Sequence, residues 1–123
     1  MKAFSFEKLE VWQDAKALTQ VIYKCTRSFP DEEKFGLVSQ LRRAMISVTS
    51  NIAEGSSRMS PKDQAHFYHI AFSSLMEVLS QILISIELGY IPKKSEDSFR
   101  KEISKISNKL NSLRKSSLKK LNK

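Results

Sequence analysis

Lys101, Lys105 and Lys109 recur every four residues near the end of the chain, with Arg100, Arg114 and Lys115 beside them. On a helix this spacing makes one cationic ridge turned away from Phe99, Ile106 and Leu113. Ammonium and guanidinium groups without acids to balance them grip phosphate. The imbalance is local. Residues 1–99 hold 12 basic and 12 acidic side chains, whereas residues 100–123 hold nine basic ones against Glu102 alone, the whole of the net charge of +8. Charge serves solubility too, but a balanced face would do that, so the excess points to a polyanion held by counterion release. No aromatic residue follows Phe99, so base stacking and sequence reading are not indicated there.

Arg42, Arg43 and Arg58 are further candidates for phosphate. Against that reading, Arg43 can pair with Glu54, Glu77 or a neighbouring subunit, and Arg42 can simply be solvated. Arg43 also belongs to a polar stripe, Gln40, Arg43, Ser47, Asn51 and Glu54, running at helical spacing beside the apolar stripe Leu37, Leu41, Met45, Val48 and Ile52. Short amides and hydroxyls on such a face suit contact with another surface, where they can be satisfied without burying much charge. Asn51 and Glu54 satisfy helix ends and interfacial donors more readily than they form a catalytic pair.

Other chemistry finds little support. Asp63, His66 and His69 offer three metal ligands, but the Glu-x-x-His pairs of di-iron bundles are missing, so no metal is expected. A helical RNase of the HEPN type needs four to six residues between arginine and histidine, and Arg58 and His66 have seven. Phosphate loops, nucleophile elbows and paired-carboxylate motifs do not occur. The expectation is a protein with no cofactor and no enzymatic activity.

The elements that must carry these residues are four helices. Val11, Ala15, Leu18, Ile22, Cys25 and Phe29 step by four and three, predicting a first helix from about Phe6 to Arg27, with Cys25 as a small buried residue. Pro30 breaks it. The second helix has its firm core at Leu37 to Glu54 and ends at Gly55-Ser56-Ser57. Ser60, Pro61 and Asp63 start the third, which runs to Leu88-Gly89. Its apolar residues spread past one stripe, so it wants cover on two sides, and a subunit contact is the economical source. Ser95 caps the fourth, with Glu96 and Asp97 in its first turn. Beyond Leu113 the repeat puts Ser117 and Lys120 where apolar residues belong, so the basic residues 116–123 are expected to fray or to extend beyond the bundle. Only 3 Gly and 3 Pro among 123 residues suit this all-α reading: one domain over residues 1–123, an antiparallel up-down-up-down four-helix bundle. A single cysteine and no secretion signal fit the cytoplasm. The longest stretch without Asp, Glu, Lys or Arg, Gln64 to Met76, is too short to span a bilayer.

Phe6-Glu7-Lys8-Leu9, Val11-Trp12-Gln13, Ala15, Phe29-Pro30, Phe35-Gly36-Leu37, Ser39-Gln40-Leu41-Arg42-Arg43-Ala44, Ser47, Ser50-Asn51-Ile52-Ala53-Glu54-Gly55, Ile70-Ala71, Ser74-Leu75, Glu77 and Leu88-Gly89-Tyr90-Ile91 together resemble the 23S ribosomal RNA intervening-sequence proteins. The resemblance covers roughly residues 4–115. It implies a four-helix bundle assembled as a ring-like homopentamer, distantly similar to the basic, nucleic-acid-binding accessory proteins of diversity-generating retroelements. Its motif positions fall on Gln40, Arg42, Arg43, Ser47, Asn51, Glu54 and Gly55. One departure stands out: Phe72-Ser73-Ser74 replaces a basic residue and glycine before the serine, so Phe72 is expected to pack there in place of a close helix approach or a polar contact. Five copies would gather about +40 formal charges on one particle. The sequence thus predicts an oligomer that binds nucleic acid, probing RNA first, through Arg100, Lys101, Lys105, Lys109, Arg114 and Lys115. A protein partner at the polar stripe of the second helix and the apolar third helix is the alternative. Membrane-surface attachment by the last helix is a third reading.

Overall fold

The computed structural model describes residues 2–122. Four helices, α1 (Glu10–Thr26), α2 (Leu37–Ser57), α3 (Pro61–Glu87) and α4 (Glu96–Lys119), are joined by short links with single 3-10 turns at Ser5–Lys8, Asp31–Glu33, Lys93–Ser95 and Lys120–Asn122. Each helix runs antiparallel to the next. Ser47 of α2 meets Ser74 of α3, Gln64 near the start of α3 meets Ser117 near the end of α4, and Lys109 of α4 meets Glu10 at the start of α1. The stripes read from the sequence form the core: Val11, Ala15, Leu18 and Ile22; Leu41, Met45, Val48 and Ile52; Ala71, Leu75, Val78 and Ile82; Phe99, Ile103, Ile106 and Leu110. Burying one such large side chain contributes roughly 1.5–3 kcal/mol before chain entropy is subtracted.

Local signals explain most boundaries. Ser60 Oγ accepts from the Asp63 N–H at 3.1 Å, and Pro61 opens α3, so that cap is as predicted. Gly89 takes φ +83°, which lets Tyr90 N–H reach back to the Ser85 carbonyl at 2.9 Å and close α3. Elsewhere the tertiary setting overrides the local reading. The first helix is interrupted at extended Leu9, because Glu7 folds back onto the Phe4 N–H at 2.7 Å and makes a separate turn. α2 ends at Ser57, within the Gly55-Ser56-Ser57 stop, but Gly55 is itself still helical and buried, where a Cβ would come within 2.8 Å of the Tyr68 ring, so this glycine permits close approach of α2 and α3. Ser95 precedes α4 but its side chain caps nothing.

One further expectation changes. The end of α4 does not fray at residue 116: the helix continues to Lys119, and Ser117 is buried because its hydroxyl donates to Gln64 Oε1 at 3.1 Å, which lets a serine occupy an inward position. Lys123 lies outside the described residues. Within the chain α3 packs between α2 and α4, which cover part of its wide apolar face: Phe72, Met76, Leu79 and Ile86 are only partly buried against the core, and Ile84 is exposed. By length and composition α3 is apolar enough to cross a membrane, with mean hydropathy 1.5 over 18 residues, which the charge-free stretch alone did not reveal. Here one line of it, Ala71, Leu75, Val78 and Ile82, closes the bundle core.

Candidate nucleic-acid interface

The cations of α4 divide into two sets. An i, i+4 line drifts about 40° around the helix at each step, so by Lys109 it has turned towards α1. There Lys109 Nζ donates to Asp14 Oδ2 at 2.6 Å and Glu10 Oε1 at 2.8 Å, and Lys105 Nζ lies 3.0 Å from Glu102 and 3.7 Å from Asp14. The hydrogen bonds it donates to Asp14 and then Glu10 hold the Lys109 ammonium above its ordinary pKa, and the bond donated to Glu102 does the same for Lys105. Arg100 Nε is bonded to Glu96 at 2.8 Å. The predicted free ridge is therefore largely an α1–α4 clamp, and among its members Lys101 alone is exposed without an ion pair among the described residues.

The second set lies nearer the helix end. Arg114, Lys115, Lys119 and Lys120 make no ion pair among the described residues, and no acid follows Glu102 in the sequence. Lys115 and Lys119 are exposed and share an outward face with Asn111 and Ser112, whereas Arg114 is half-buried to one side of it. The bundle brings other cations to this end. Gln64 accepts from Ser117 of α4, and its Nε2 donates to the Arg58 carbonyl at 3.0 Å, which ties the α2–α3 link to the end of α4. Arg58 lies over the Phe67 ring at 4.6 Å and 3.5 Å from Glu54, and exposed Lys62 follows in the first turn of α3. Sequence reasoning passed over Lys62, because only the fold places the start of α3 beside the end of α4.

The remaining candidates separate. Arg42 is not solvated: its Nε donates to Thr26 Oγ1 at 2.9 Å, its terminal nitrogen to the Tyr23 carbonyl at 3.2 Å, and its guanidinium stacks on the Tyr23 ring at 4.6 Å. It satisfies groups at the end of α1. Arg43 is exposed and pairs with neither Glu54 nor Glu77; Glu54 is taken by Arg58 and by the Ser57 hydroxyl at 3.3 Å. Arg43 also lies about 20 Å along α2 from Ser57, remote from the basic end. The polar stripe meets α3 of the same chain. Ser47 Oγ and Ser74 Oγ are 2.8 Å apart, Asn51 Nδ2 donates to the Ser47 carbonyl at 2.8 Å, and Gln81 Nε2 donates to Gln40 Oε1 at 3.3 Å. A polar contact thus persists beside Phe72-Ser73-Ser74.

His66 and His69 are exposed, and among the described residues no cluster of three or more His, Cys, Asp or Glu could hold a metal. Cys25 is half-buried rather than fully buried as expected, and desolvation raises its thiol above the ordinary pKa.

With this geometry in view, comparison decides the family. The description 23S rRNA-intervening sequence protein matches residues 7–112, most of the chain. The chain belongs to that family. A solved relative in fold, a protein of unknown function from the S23 ribosomal protein family of Bacteroides thetaiotaomicron VPI-5482, superposes with a TM-score of 0.78 at 23% identity, covering 85% of this chain and 95% of that one. No curated protein matches the chain closely enough to serve as a relative. For this 23S rRNA-intervening sequence protein, the matched range ends before Arg114, so the unpaired cations lie just past it.

Proposed function

We propose that this 23S rRNA-intervening sequence protein is a cytoplasmic, non-enzymatic, self-associating bundle that binds structured RNA by its phosphate backbone, through one end of the bundle. The observation that carries the reading is the cluster Arg58, Lys62, Arg114, Lys115, Lys119 and Lys120 at that end, whose α4 members face no acid. In a ring of five with bundle axes aligned, as the family resemblance implies, each copy would present this end to the same rim and multiply the field. Fluorescence anisotropy with labelled structured RNA and duplex DNA across a salt series tests it. The reading requires a steep linear fall of log affinity with log salt, and no binding at low salt would discard it.

A second reading, contact with a protein through α2 and α3, is supported by Gln81 Oε1, which is buried without a hydrogen-bond partner among the described residues, and by exposed Ile46 and Ile84 flanking the seam. It requires complexes that survive high salt and weaken on Ile84→Glu.

A further inference from the structure

We propose that the groove between the Ser5–Lys8 turn and the last turns of α2 takes one unpaired nucleobase of the bound strand. This rests on the nucleic-acid reading above and names what it would recognise. The groove holds about 450 Å³ and is lined in part by Phe4, Phe6, Ser50, Glu54 and Ser57. That volume falls within the range of sites for small ligands.

The lining has the chemistry that receives a base. Phe4 offers an aromatic surface exposed to 73%, on a backbone that is pinned: its N–H donates to Glu7 Oε2 at 2.7 Å and its carbonyl accepts from the Glu7 N–H at 3.1 Å. Phe6 is anchored edge-on against Trp12, with ring centroids 5.0 Å apart. An aromatic held in place loses little freedom when a base stacks on it. The serine hydroxyls can donate or accept, whereas the Glu54 carboxylate only accepts. Glu54 therefore suits the amino and imino donors of a base edge, guanine above all, and repels phosphate.

Orientation follows from charge. The base enters towards Glu54, and the backbone stays outside beside Arg58, which reaches Glu54 at 3.5 Å and leads through Gln64 to the basic end of α4. A paired and stacked base cannot present its edge this way, so the groove selects unpaired nucleotides within an otherwise structured RNA. Aromatic contact, excluded along α4 by its sequence, is thus restored by the opposite end of the chain.

The experiment compares single-stranded RNA with the same RNA annealed to its complement, by anisotropy across a salt series, for the full chain and its Phe4→Ala and Glu54→Gln variants. Phe4→Ala is expected to weaken single-strand binding about tenfold while duplex affinity, the salt slope and the melting temperature stay unchanged. Glu54→Gln is expected to erase a preference for guanine-containing over guanine-free strands. Unchanged single-strand binding by Phe4→Ala, with salt-dependent binding intact, would overturn the groove and leave the electrostatic reading standing. Equal losses on single strand and duplex would also overturn it. Absence of salt-dependent binding to any RNA would remove both.

Discussion

The two ends of α4 carry cations of the same kind, yet they are different surfaces. From Arg100 to Lys109 most are spoken for: Arg100 by Glu96, Lys105 by Glu102 and Asp14, Lys109 by Glu10 and Asp14. From Arg114 to Lys120 none has an acidic partner among the described residues. A count of charges therefore overstates the surface that a polyanion can use. The first half of the helix pairs most of its cations, within α4 or, at Lys105 and Lys109, across to α1, and the second half leaves its own without an ion pair among the described residues.

The largest effect should come from reversing the second half. Changing Arg114, Lys115, Lys119 and Lys120 to glutamate takes the net charge from +8 to about zero and is expected to lower RNA affinity at least about a thousandfold at low salt, with the salt slope flattened. Anisotropy measures both. Retained binding would erase the difference between the halves.

Packing supplies the next contrast. Ile106 is fully buried under the clamp, and Ile106→Ala should cost about 2–5 kcal/mol in urea unfolding, whereas Leu118→Ala, on an exposed residue, should stay within about 0.5 kcal/mol. Comparable losses at the two positions would mean that the helix end is as firmly packed as its middle.

A smaller effect is expected from Lys105→Gln with Lys109→Gln. Affinity for RNA should change less than about twofold, because these cations already have partners, while the melting temperature falls slightly and independently of RNA. A loss of affinity like that of the four-residue reversal would return the clamp to the binding surface.

The smallest effect concerns acid. Hydrogen bonds from Lys93 at 2.6 Å and Arg100 at 2.8 Å hold the Glu96 carboxyl below its ordinary range. A lowered carboxylate stabilises the fold at and above its ordinary range, and that contribution fades as pH falls through the lowered value. Amide protection in the first turn of α4, corrected for the intrinsic exchange rate at each pH, should therefore fall below about pH 4, while protection in the Arg114–Lys119 turn, which has no carboxylate, should not change.

Much of the fold was legible because its signals are local. Stripes at three- and four-residue spacing, Pro30, the Ser60-Pro61 start and Gly89 mark helices and their limits within a few residues of themselves. The errors fall where a distant group intervened. Arg42 reads as solvated until the end of α1 needs its donors, and Ser117 reads as out of place on an apolar stripe until Gln64 receives its hydroxyl. The candidate site suffered more than the fold, since the partners of a surface cation leave no trace in its own neighbourhood of the chain.

The sequence by itself determined four amphipathic helices, their order and the basic excess after residue 99, because periodicity and charge are properties of short segments. Tertiary structure alone decided which of those charges remain free. Lys109 finds Glu10 across 99 residues of chain, and Phe4 comes to lie beside Glu54 only once α1 and α2 are packed, so both outcomes depend on Coulomb and van der Waals forces that act through a few ångströms of space and ignore separation along the backbone.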